Sequence, residues 1–111
     1  MSKYRRAAKI DSNQPKIVAT LMSLGYSVQV GMDDILVGAY GKTYWYEIKE
    51  PSLVGKDGKI RPSAIKPSQK ELLANWRGHY RIVWDVQQII QEIKEDKNGL
   101  SRPQSTKKKI E

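Results

Sequence analysis

Apolar side chains fall in short runs along this chain, and each change in their spacing marks a new element. Ile17, Val18, Leu21 and Leu24 recur at helical spacing. They follow Asp11-Ser12-Asn13-Gln14-Pro15, where Asx and Ser caps and a first-turn proline predict a helix start. Gly25 is a natural stop. Tyr26 to Val30 alternates as a strand does, and Gly31-Met32-Asp33 breaks it. Two more strands are expected over 34–40 and 43–49, separated by Gly41-Lys42. A two-residue loop with glycine first predicts a type II′ hairpin turn. Ile35, Val37, Thr43, Tyr44, Trp45, Tyr46 and Ile48 supply the β-branched and aromatic content that strands favour.

Residues 50–67 hold Pro51, Gly55, Gly58, Pro62 and Pro67 and read as a long mobile loop. Ser68-Gln69-Lys70-Glu71 has the pattern of a capping box. It opens a helix expected to turn Leu72, Leu73 and Trp76 inward and to end near Gly78. His79 to Trp84 reads as an apolar strand. Asp85 caps a last helix that carries Val86, Ile89, Ile90 and Ile93 on one face. The order α-β-β-β-α-β-α predicts an α/β domain, a small mixed sheet flanked by helices. A chain of 111 residues holds one such domain. Its expected organisation is a basic N-terminal arm over 1–10, a folded domain over 11–94 and a disordered basic tail over 95–111.

Composition narrows the chemistry. The absence of cysteine removes disulfide scaffolds, thiolate zinc sites and cysteine nucleophiles, and fits a reducing cytosol. The single histidine, His79, argues against a Ser-His-Asp triad and reads as structural. No apolar run approaches the length of a bilayer span, and no apolar stretch follows the basic N-terminus, so neither a membrane protein nor a secretory signal is expected. The net charge of +8 sits mostly at the ends: +4 over residues 1–10, +3 over 94–111 and +1 between them. Two basic ends on a near-neutral body suit a polyanion, and suit equally a solvated surface with a solubilising tail.

The residues that change the picture are Asp34, Glu47 and Lys49. Glu47 and Lys49 share one face of their strand and Ile48 the other. If Tyr40 faces Thr43 across the hairpin, Asp34 lies opposite Lys49 and Leu36 opposite Glu47. The three charged side chains then converge, with Asp34 and Glu47 as diagonal neighbours. Two carboxylates beside a backbone carbonyl form a hard oxygen site suited to Mg²⁺ or Mn²⁺. An ammonium alongside orients the bound water and stabilises charge developing on the phosphorane. The plain alternative is an exposed cross-strand ion pair between Asp34 and Lys49, with Glu47 another surface charge.

Asp33-Asp34 followed by Glu47-Ile48-Lys49 resembles the signature of the PD-(D/E)XK nuclease superfamily. With Asp11-Ser12-Asn13-Gln14, Ile17-Val18, Asp34-Ile35-Leu36-Val37-Gly38, Ser68-Gln69 and Trp76-Arg77-Gly78, the chain is similar to small phage-type VRR-NUC and Holliday-junction-resolvase-like nucleases over about residues 9–93. The resemblance implies a restriction-endonuclease-like αβββαβα core and a metal-dependent endonuclease acting on DNA phosphodiester bonds. It implies Asp34, Glu47 and the Ile48 carbonyl as ligands of Mg²⁺ or Mn²⁺, and Lys49 as the catalytic lysine. It also implies a homodimer on branched or single-stranded DNA, no small-molecule cofactor, and the cytoplasm of a bacterial or phage-infected cell. Two positions depart from the pattern. Asp33 replaces a usual proline, and Gln14 stands where many relatives carry a first-helix glutamate.

Gln14 and Gln69 are accessory candidates, Gln69 being equally a capping-turn residue. Lys56, Lys59, Arg61, Lys66, Lys70 and Arg77 are candidates for phosphate contact, and residues 56–70 carry a net +4. Arg81 is a further one. Trp45, Trp76 and Trp84 are expected to pack in the core or an interface rather than to stack on bases. Two other readings stay open: a nucleic-acid-binding module of the same fold without activity, and a small structural or assembly protein.

Overall fold

A computed structural model describes residues 13–98. The basic arm, Asp11, Ser12 and the chain beyond Asn98 lie outside the described residues. Three helices and a four-stranded mixed sheet make a small α/β fold in the order α1 (Gln14–Ser23), β1 (Ser27–Val30), β2 (Asp34–Ala39), β3 (Lys42–Ile48), α2 (Pro67–Asn75), β4 (Arg81–Val83) and α3 (Val86–Lys97). The sheet order is β1-β2-β3-β4. The first three strands are antiparallel, and β4 runs parallel to β3. Among the described residues no helix is long and apolar enough to cross a membrane.

One sheet face carries the core. Ile35 and Val37 from β2, Tyr44, Tyr46 and Ile48 from β3, and Val83 from β4 pack against Ile17 and Leu21 of α1 and Ile89, Ile90 and Ile93 of α3. Tyr44 and Tyr46 are therefore core residues, as their strand parity requires. α1 stops in a Schellman motif: Gly25 at φ +93° donates to Met22 O and Tyr26 donates to Leu21 O. At α3, Asp85 accepts from Gln87 N while Gln88 Oε1 accepts from Asp85 N, which completes a capping box.

The structure departs from the sequence expectations in five places. The β2–β3 turn is Tyr40-Gly41, with φ +54° and +80°, rather than Gly41-Lys42. Two consecutive positive φ angles are the type I′ geometry, whose twist matches the flanking strands. The pairing therefore shifts by two residues, and Asp34 lies opposite Glu47 instead of Lys49. An even shift leaves every side chain on its expected face. α2 begins at Pro67, not at a Ser68 cap: Gln69 Oε1 accepts from Lys66 N at 3.0 Å. Leu73 and Trp76, expected inward, are 47% and 51% exposed. Residues 50–67 carry structure of their own, with short 3₁₀ turns over Pro51–Leu53 and Pro62–Ala64 joined by a Val54–Ile60 bridge. Ile60 is buried and anchors that hairpin. Finally, α3 runs through Lys97, so Glu95, Asp96 and Lys97 are helix rather than tail.

Candidate functional site

The sheet face opposite the core gathers the charged residues singled out from sequence. Asp34 and Glu47 are directly paired across β2 and β3, which brings their side chains closer than the diagonal arrangement expected. Lys49 follows β3 and keeps the strand course by donating its N–H to Val83 O at 2.8 Å. Ile48 N–H donates to Asp33 O at 2.9 Å, toward β2. A strand residue presents its N–H and C=O to the same edge, so the Ile48 carbonyl also looks toward the Asp33–Asp34 corner. That corner is a tight turn in which Gly31 N donates to Asp34 O at 2.8 Å, and a Cβ at Gly31 would collide with Asp34 Oδ1. Any larger residue here would have to displace the Asp34 carboxylate.

Burial separates this group from an ordinary surface pair. Glu47 is 5% exposed and Lys49 is 7% exposed. Lys49 closes no ion pair among the described residues, where the bridges are Lys42–Asp96, His79–Glu92 and Arg81–Glu92. Glu47 Oε2 is buried without a hydrogen-bond partner, its Oε1 receives a long 3.5 Å contact from the Tyr80 hydroxyl, and the Asp33 carboxyl interacts with the protonated group. An exposed Asp34–Lys49 pair is thus not what the sequence builds. Burial pushes the Glu47 carboxyl up to about 8, the negative charges of Asp33 and Asp34 add to the rise, and the Lys49 ammonium opposes it.

Aromatic residues fix the group in place. Trp45 Nε1 donates to Asp34 Oδ2 at 2.9 Å. Its indole meets Tyr80 edge-to-face at 4.8 Å and Trp76 at 5.4 Å. Trp45, Tyr80 and Gly31 were not read as site residues from sequence. Trp45 was legible, because it shares the strand parity of Glu47. Tyr80 was not, since its approach depends on β4 pairing in parallel with β3.

Gln14 is 3% exposed at the first turn of α1, and its Oε1 is buried without a partner. Its neighbour Asn13 does not cap the helix; Asn13 Nδ2 donates instead to Lys49 O and Trp84 O, both at 3.2 Å. This pins the start of α1 to the end of the sheet where Lys49 sits. Gln69 is buried, but its oxygen is committed to the α2 cap, so only its amide donors could serve a substrate. Lys56, Lys59, Arg61, Lys66, Lys70 and Arg77 are all exposed, whereas Arg81 pairs with Glu92 at 3.5 Å. His79 is structural: Nδ1 accepts from Trp45 N at 3.0 Å, which places the ring proton on Nε2, 3.0 Å from Glu92 Oε1.

Among the described residues no three His, Cys, Asp or Glu side chains gather as a metal site. The available oxygen donors are two carboxylates and one backbone carbonyl, and Glu47 Oε2 is buried with no hydrogen-bond partner. Hard oxygen donors of this kind fit a small divalent cation. The chain matches no protein-family model, no curated protein and no solved structure.

Proposed function

We propose that this protein is a metal-dependent nuclease with a restriction-endonuclease-like core, cleaving phosphodiester bonds in DNA. The observation that carries the reading is the pair Glu47 and Lys49, buried on one strand face without an ion pair to close them and with Glu47 Oε2 unsatisfied. A fold rarely keeps buried polar groups unsatisfied unless something absent from the chain completes them. The element order αβββαβα and the β3–β4 parallel pair support the core assignment.

Asp34, Glu47 and the Ile48 carbonyl are the groups that would hold Mg²⁺ or Mn²⁺. Such an ion polarises a phosphoryl oxygen and acidifies a bound water. Lys49 orients the attacking water by hydrogen bonding and stabilises negative charge on the phosphoryl oxygens. Trp45 holds Asp34 by its indole N–H, and the Tyr80 hydroxyl faces Glu47. The exposed cations of residues 56–70, with Arg77, bind the nucleic-acid backbone. A homodimer on branched DNA is the assembly that accompanies this reading.

The test is nicking of circular plasmid and cutting of a branched junction with Mg²⁺ or Mn²⁺. Wild-type protein should cleave, and Asp34→Asn and Lys49→Ala should not, with unchanged circular dichroism. Cleavage surviving in Asp34→Asn refutes the assignment of the site. The neutral Gln14, at a position suited to a supporting carboxylate, favours a second reading as a binding module. Binding of DNA without cleavage in either metal selects it.

A further inference from the structure

Trp76 stands out on the site face. It is the C-cap of α2, and half of the residue is open to solvent. Its edge-to-face contact with Trp45, at an interplanar angle of 84°, occupies at most one face of its ring. The Gly78 backbone passes close to it. A Cβ at Gly78 would lie 2.8 Å from Trp76 Nε1, and Gly78 has no positive φ to call for glycine on conformational grounds. Residue 78 is therefore small so that the backbone can run beneath the indole. Trp76 in turn leans on Trp45, whose own N–H holds Asp34. A half-exposed aromatic surface thus lies two side chains from a candidate metal ligand.

We infer that Trp76 is a stacking platform for an unpaired nucleobase, which places the adjoining phosphodiester at Asp34 and Glu47 and makes a single-stranded segment part of the substrate. The inference rests on the nuclease reading above and specifies its substrate. Charge supports a nucleic-acid occupant over an apolar one. Arg77 is the next residue, and Lys66 and Lys70 lie at the opening and first turns of the same helix, all exposed. A second copy of this chain would bring those cations against one another. The backbone phosphates of a nucleotide match this positive charge, which an apolar occupant does not. Within duplex DNA the bases are already stacked and cannot reach the ring, so the platform discriminates in favour of unpaired strands.

The experiment measures binding of labelled oligo-dT, whose bases stack weakly on each other, and of a matched duplex. It is done in chelator so that cleavage plays no part. Trp76→Ala should weaken oligo-dT binding by roughly 5- to 150-fold, the effect of losing one stacked base, and leave duplex binding unchanged. Trp76→Phe, which keeps an aromatic face, should recover most of the loss. Gly78→Ala, which displaces the indole while keeping its chemistry, should resemble Trp76→Ala. Circular dichroism and melting of each variant confirm the fold. Equal losses on oligo-dT and duplex overturn the inference, as does wild-type oligo-dT binding by Trp76→Ala. So does a wild-type dimer in sedimentation that Trp76→Ala converts to monomer, since the face would then be covered by a second copy. None of these results depends on catalysis: a chain that stacks oligo-dT on Trp76 but never cleaves plasmid loses the nuclease reading alone.

Discussion

Replacing Glu47 by Gln should stabilise the fold while abolishing cleavage. Glu47 is buried, lacks a donor at Oε2 and faces the charges of Asp33 and Asp34, so its carboxyl ionises at about 8 rather than near 4.5. A raised carboxyl pKa favours the folded state only while the group stays protonated. That contribution is fully present below about 4.5 and is lost progressively as the pH rises to about 8. At pH 7 the unfolded chain gains about 3 kcal/mol by ionising this group where the folded chain cannot. Screening by solvent at a site bordered by the partly exposed Asp34 lowers this to about 2 kcal/mol. Glutamine is neutral at every pH and escapes the penalty. For a domain of this size, about 2 kcal/mol corresponds to a rise in Tm of roughly 8–16 °C.

Thermal melts in chelator, followed by circular dichroism across pH 4 to 8.5, read this directly. The variant should melt above wild type at pH 7 and 8.5, and the two curves should converge near pH 4. Added Mg²⁺ or Ca²⁺ should then raise the wild-type Tm at pH 7, because a cation at Glu47 supplies the missing partner, and should raise the variant's much less. A variant that melts at or below wild type at pH 8.5 refutes the reasoning, and so does a difference that does not change with pH.

Glu92 should behave oppositely. Burial would raise its carboxyl, but hydrogen bonds from His79 and Tyr46 and the charge of Arg81 hold it at about 2. Its stabilising contribution is present above about 4.5 and lost as the pH falls toward 2, so Glu92→Gln should lower the Tm at pH 7 and flatten the acid limb of the melting profile. Gly31→Ala drives a methyl group into Asp34 Oδ1 and should reduce cleavage at saturating DNA at least tenfold, with the circular dichroism spectrum retained. Gln14→Glu places a carboxylate at a position 3% exposed, and should lower the Tm in chelator and enlarge the rise that Mg²⁺ produces. Neutralising Lys56, Lys59, Arg61 and Lys66 together should flatten the log–log salt dependence of DNA binding by roughly two to four units, read by anisotropy titration.

The elements were legible because each is announced locally. Pro15 and Gly25 bracket α1, Asp85 caps α3, and the parity of Tyr44, Tyr46 and Ile48 gives the buried side of β3. The β2–β3 turn was not legible, because glycine alone does not decide between two turns one residue apart. Gly41 accepts a positive φ in either, and the structure settles the matter by also placing Tyr40 at φ +54°, a conformation its sequence does not advertise. The consequence was mild only because moving both strand ends shifts the pairing by two. α2 misled for another reason. Its apolar residues have helical spacing, but the helix contributes none of them to the core cluster, so Leu73 and Trp76 remain open.

Glu47 and Glu92 show what pattern reading leaves out of a site. Both are buried glutamates against the same central strand, Glu47 on its open face and Glu92 reaching its core face from α3. Neither the strand alternation of one nor the helical position of the other tells them apart in energy. Their donors do. Glu92 accepts from Tyr46 at 2.6 Å and His79 at 3.0 Å, and Arg81 stands at 3.5 Å, partners brought from β3, from the approach to β4 and from β4 itself. Glu47 receives one long contact from Tyr80 and has acidic neighbours. One carboxylate ties helix to sheet and lowers the free energy of the fold. The other raises it, and a chain that keeps such a group buried gains from it only when a cation or a proton arrives. The sequence names the two glutamates, but the parallel pairing of β3 with β4 is what brings His79 and Arg81 to Glu92 and leaves Glu47 among acidic neighbours.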